Sequence, residues 1–184
     1  GRTRKADVKE YDEIGQFSCE WLRSHLPLNK NVDVLNIAPV GFVALDKPHG
    51  LLTHPNAKNA STARNKGLLT TEYLMGKEAF RLPEDFGEFS RLYLCHRLDS
   101  HTSGVILCAL TEDAALIARK AFKQRMVEKT YMALSFGRCN QREGVWKNRL
   151  ERVKNKGKLH VKAMRSGRLC VTQYRIEKTL KLRG

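Results

Sequence analysis

Nine consecutive residues, 96–104 (His-Arg-Leu-Asp-Ser-His-Thr-Ser-Gly), bring together one carboxylate, one guanidinium, two imidazoles and three hydroxyls. Asp99 is the group expected to react. Held ionised and in place, an aspartate can attack an electrophilic carbon or remove a proton. Taken alone, an aspartate in a polar turn is ordinarily a turn-former, because its side chain caps nearby backbone N–H groups. Arg97 alone would ordinarily be a surface charge, and Tyr131 alone an aromatic on a half-buried strand. Their assignment therefore depends on what surrounds them.

The elements that must position Asp99 are two strand-like runs, residues 91–97 and 104–110, flanking the polar turn 98–103. Rigid neighbours on both sides are the usual way to hold an active-site loop. Upstream, residues 41–45 read as a buried strand broken by Pro48 and Gly50, with a structured loop through His54 and Pro55. Lys47 and Pro48 are read as a strand end with a structural role. Downstream, Thr111 is a candidate N-cap, with Glu112 and Asp113 suited to the first turn and apolar residues at helical spacing predicting a helix over 112–127.

Residues 130–136 read as a strand, followed by strands near 146–150, 159–164 and 169–176 in an antiparallel meander. A helix is predicted over 11–26, a linker over 28–40 and a short helix over 68–75. The fold class expected is α+β, with a mixed, mainly antiparallel sheet and flanking helices. Residues 1–38 would be a helical appendage and linker, and 39–184 a single catalytic domain.

Composition limits the partners. Lys plus Arg number 34 against 19 Asp plus Glu, a net charge of +15 that points to a polyanion. From Arg138 onward, fifteen basic residues face only Glu143, Glu151 and Glu177, so this face is expected to contact phosphates. No run approaches the length of a membrane span. The five cysteines are scattered without a paired Cys-x-x-Cys, which indicates neither disulfides nor zinc and suits a reducing compartment. His54, His96 and His101 lack metal-ligand spacing and are read as loop or packing residues.

The stretch His96-Arg97-Leu98-Asp99, followed two residues later by Thr102-Ser103-Gly104, resembles the active-site signature of RNA pseudouridine synthases of the RluA type. Three more stretches fall in that family's order: Asp46-Lys47-Pro48-His49-Gly50-Leu51 with His54-Pro55, then Lys129-Thr130-Tyr131-Met132-Ala133 ending at Gly137, then residues 167–174. The resemblance covers about residues 40–178. It implies isomerisation of uridine to pseudouridine in ribosomal or transfer RNA, with Asp99 as the catalytic carboxylate, no cofactor and no metal. It further implies that Arg97 fills the stack left by a flipped nucleotide and that Tyr131 packs against the flipped uracil.

The family continues into a segment whose arginine pairs with the catalytic aspartate, and nothing after Tyr174 matches it, so the chain is read as an incomplete catalytic domain. A monomer in the cytoplasm, or in an organelle matrix, is expected. The competing expectation is a catalytically inactive RNA-binding relative that serves ribosome assembly. A basic protein-interaction module is a remote third, since it leaves the His-Arg-Leu-Asp turn unexplained.

Overall fold

A computed structural model describes residues 17–55, 67–155 and 158–180. The chain divides into two compact units, Gly1–Lys129 and Thr130–Gly184. The part of the predicted first helix before residue 17, and the turn glycine Gly157, lie outside the described residues.

In the first unit, Phe17 and Ser18 fall inside the predicted helix but are not helical. Ser18 is extended and its hydroxyl accepts from the Trp21 N–H at 3.0 Å, so α1 spans Cys19–His25. Six strands follow: β1 (Asp33–Ile37), β2 (Phe42–Lys47), β3 (Tyr73–Leu74), β4 (Ala79–Arg81), β5 (Arg91–Leu94) and β6 (Gly104–Ala109). They form one sheet in the order β1-β2-β6-β5-β4-β3, and every pair is antiparallel.

The two faces of this sheet bury different residues, as the period of two along a strand requires. Val43, Leu45, Phe80, Leu92, Leu94, Ile106 and Cys108 join one cluster, to which α1 contributes Leu22 and its C-cap adds Leu26. Their sequence neighbours Ala79, Tyr93, Cys95 and Ala109 join the other, with Ala115 and Ala118 of α2 (Glu112–Lys123). Thr111 caps α2 as expected, its hydroxyl accepting from the Ala114 N–H at 3.2 Å.

α2 stops four residues short of the predicted end. Arg125 takes the left-handed conformation at φ 58°, its N–H donates to Phe122 O, and the Met126 N–H donates to Ala121 O at 3.0 Å. This pair of bonds is a Schellman motif, closed by an arginine where glycine is usual. The apolar stripe is correspondingly narrower, since Ile117 and Met126 are exposed.

Residues 68–75 are not a helix. The Thr70 N–H donates to Pro27 O and the Asn29 N–H to Leu68 O, so the segment lies extended against residues 27–29, with Leu68 and Leu69 fully buried. A pair of leucines reads alike in either conformation, and here tertiary pairing decides.

The second unit is a three-stranded antiparallel sheet of β7 (Glu143–Asn155), β8 (Lys158–Ala163) and β9 (Arg168–Arg175), in the order β8-β7-β9. β9 therefore pairs with the far edge of β7 rather than continuing a meander beside β8. Gly167 makes that return possible: a Cβ there would sit 2.6 Å from the Leu150 carbonyl carbon. Residues 130–136 form no strand. Met132, Leu134 and Phe136 are each exposed, and without a paired neighbouring edge an alternating sequence has no ladder to join.

Candidate active site

Asp99 lies in the turn between β5 and β6, and the structure shows how that turn is opened and held. β5 and β6 are paired at Tyr93↔Ala109 and Leu94↔Cys108. Past Cys95, whose N–H still donates to Leu107 O at 3.0 Å, β5 leaves the ladder. The Leu107 N–H would then lose its acceptor, and His96 Nε2 accepts it instead at 3.0 Å. An imidazole thus replaces a backbone carbonyl, and the chain is free to diverge into residues 97–103. Burial holds the His96 pKa below its usual value, which keeps the ring neutral and able to accept; the Lys129 charge acts in the same direction.

The opened turn is gripped from the loop that follows β2. The Thr53 hydroxyl donates to Leu98 O at 2.7 Å and accepts from the Leu98 N–H at 3.1 Å. The Gly50 N–H donates to Ser100 O at 2.8 Å, and the Thr102 N–H donates to Asp99 O at 3.0 Å to close the turn. Lys47 adds the deepest anchor. The alternation that buries Val43 and Leu45 also turns Lys47 inward, where it is fully enclosed. Its ammonium uses all three protons, donating to Pro48 O at 3.1 Å, Leu51 O at 2.7 Å and Ser100 O at 3.1 Å. Desolvation lowers the Lys47 pKa, while the Asp99 carboxylate opposes the shift.

Asp99 is thus fixed through the backbone on both sides, yet it is exposed, and its carboxylate accepts no hydrogen bond and joins no ion pair among the described residues. His101, two positions further along the same turn, meets His49 of the loop after β2, their ring centroids 5.3 Å apart. Arg97 is also exposed, and its guanidinium lies 3.1 Å from His54 Nε2. A cavity of about 330 Å³ opens beside it, with Glu78, His96, Phe122 and Lys123 among its walls. The buried thiols offer no rival nucleophile: burial pushes Cys95 up to about 12 and Cys108 well above its usual value. Among the described residues no group of three or more His, Cys, Asp or Glu is arranged to hold a metal, and no helix is long and apolar enough to cross a membrane.

Residues 41–181 match the RNA pseudouridylate synthase family. The chain belongs to that family. The pseudouridine synthases it resembles include ribosomal large subunit pseudouridine synthase C of Rickettsia bellii, 31% identical over 140 residues, 76% of this chain and 42% of the relative. Ribosomal large subunit pseudouridine synthase D of Borreliella burgdorferi is 28% identical over 169 residues, 91% of this chain and 48% of the relative. The chain therefore spans under half the length of these curated relatives. Among solved structures, human RNA pseudouridylate synthase domain containing 4 matches with a TM-score of 0.51 at 23% identity, covering 77% of this chain and 52% of that one. That likeness bears out the α+β fold.

Within this chain, the structure places Asp99 and Arg97 on one turn of the first unit. Tyr131 belongs to the second unit, where it is exposed. Sequence reasoning passed over Thr53, read His54 as a loop or packing residue without its bond to Arg97, and took Lys47 for a strand end without seeing its three bonds. For Lys47 a signal was available, because the i, i+2 pattern of Val43 and Leu45 continues onto it. For Thr53 and His54 nothing local named a partner, since Leu98 and Arg97 lie more than forty positions away.

Proposed function

We propose that this chain carries the uridine-isomerising centre of an RNA pseudouridine synthase acting on ribosomal RNA. The observation that carries this reading is a turn anchored at Leu98 and Ser100 whose central carboxylate, Asp99, is exposed and, among the described residues, without a hydrogen-bond or ion-pair partner. A structural aspartate would be expected to spend its oxygens on capping the turn. This one leaves them for a substrate. Family membership, and the relatives' names as ribosomal large subunit synthases, support the reaction and the class of RNA.

In the reaction the bond from uracil N1 to ribose C1′ breaks, the base turns, and C5 bonds to C1′. C5 gives up its proton and N1 gains one, so atoms balance with no co-substrate. Asp99 would either attack C1′ to form an ester or take a C2′ proton to give a glycal, and both uses need an ionised, positioned acid. The nucleotide must first leave its stack, at a cost of a few kcal/mol. Arg97, a flat cation able to stack and hydrogen-bond together, would occupy the gap. Tyr131 would pack against the flipped uracil. The exposed Lys147, Arg152, Lys162 and Arg168 of the second sheet supply phosphate contacts, so RNA affinity should fall steeply with salt.

The test is tritium release from ribosomal RNA labelled at uridine C5. Asp99→Asn is expected to abolish release while leaving RNA binding intact. Release that survives this substitution would remove Asp99 from the chemistry. Binding without release by the unsubstituted protein would instead favour a non-catalytic RNA-binding role.

A further inference from the structure

His54 faces partners of opposite kind through its two ring nitrogens. Nδ1 lies 2.9 Å from the Pro55 carbonyl oxygen, and Nε2 lies 3.1 Å from Nη1 of Arg97. A carbonyl oxygen only accepts and a guanidinium only donates. The ring must therefore carry its proton on Nδ1 and offer the Nε2 lone pair to Arg97. A doubly protonated ring would set donor against donor and put two cations side by side, so the neutral Nδ1–H tautomer is the state that satisfies both contacts.

The plane of the ring is fixed independently. Tyr73 stacks on His54 at 4.8 Å between centroids and 11° between planes, and Tyr73 in turn packs on fully buried Phe80 at 4.9 Å. Thr53 and Pro55, on either side of His54 in the chain, are both buried. Arg97 reaches the same cluster electrostatically, since its charge offsets part of the burial that pushes the Tyr73 phenol up to about 12. An exposed arginine has many rotamers to sample, and an acceptor this firmly seated selects among them.

We propose that His54, stacked on Tyr73 as its neutral Nδ1–H tautomer, is a positioning residue that holds the Arg97 guanidinium ready to enter the stack a flipped uridine leaves. This rests on the reading of Arg97 given above. His54 itself touches no reacting atom. Its effect passes through Arg97, and the two residues act as one unit.

A double-mutant cycle in the full chain tests this, with kcat/KM for tritium release measured for His54→Ala, His54→Gln, Arg97→Ala and the His54→Ala/Arg97→Ala pair. His54→Ala is expected to lose about tenfold, as for a hydrogen bond to a charged group. His54→Gln, which keeps an acceptor near the Nε2 position, should recover most of that loss, and the double variant should be no slower than Arg97→Ala. Nitrogen-15 NMR supplies a second readout that does not depend on turnover. Nδ1 of His54 should be protonated, Nε2 should carry a lone pair, and the Nε2 resonance should move in Arg97→Ala. Losses that multiply in the double variant, failure of glutamine to rescue, or a protonated Nε2 would overturn the proposal. Undiminished turnover by Arg97→Ala would instead sink the stacking role of Arg97. In that case an Nε2 resonance unmoved by Arg97→Ala would overturn the hold as well, and a moved one would sustain it.

Discussion

The sheets of the two compact units share antiparallel pairing and an alternating sequence, but they bury their side chains differently. In the first, both faces are covered: Val43, Leu45 and Ile106 on one side and Tyr93 and Ala109 on the other are almost wholly buried. In the second, Val145, Trp146, Val161, Leu169 and Val171 all remain about half exposed or more. Both keep an unbroken antiparallel register along their longest pairings. Burial, which supplies most of the stability of a sheet, belongs mainly to the first. Within the second, side-chain packing shrinks to contacts such as the Trp146–Tyr174 stack at 4.2 Å, for which Gly144 leaves room beside the Tyr174 ring.

This contrast can be put to measurement. Phe80→Ala, in the closed sheet, is expected to cost about 4 kcal/mol of unfolding free energy. Val171→Ala, in the open sheet, should cost under about 1 kcal/mol. Equal losses in denaturant titration would erase the distinction between the units. A smaller effect asks whether closure of the first unit extends to the candidate site. Lys47→Met would leave three carbonyl oxygens without their shared donor, and about 3 kcal/mol is expected. A loss below about 1 kcal/mol would mean that the turn around Asp99 is held by its other contacts.

The smallest effect concerns His96. Because burial lowers its pKa, the folded chain binds this proton less readily than the unfolded chain does. The stability it contributes is complete above the ordinary value of 6.5 and is lost as pH falls through the lower folded value. Unfolding midpoints measured from about pH 7.5 down to about pH 5 should therefore fall less in His96→Gln than in the unsubstituted protein. Parallel curves would show that the imidazole is not what caps Leu107.

How much of this was legible in the sequence depended on the range of the interaction responsible. β2 and β6 fell within two residues of their predicted bounds, because alternation and flanking glycines are local signals. β5 ended three residues early, since a side chain, His96, rather than a breaker residue, takes over from the backbone there. The end of α2 was hidden by an arginine in a conformation that sequence reading assigns to glycine. The segments 68–75 and 130–136 were misread because apolar residues do not announce which neighbour, if any, will pair with them. At the site, Asp99 and Arg97 stood out through nine contiguous positions. The residues that hold their turn, Thr53 and His54, reach it across 45 and 43 positions.

The three carbonyls gathered around Lys47 have a consequence for motion. Pro48, Leu51 and Ser100 are tied to a common guest, much as ether oxygens surround a cation in a crown complex. That guest is carried by the last residue of a strand paired on both edges. Displacing the loop would mean pulling several oxygens off one ammonium at once. The backbone of Asp99, one residue before Ser100, should therefore vibrate with the amplitude of a sheet, although it sits on a loop.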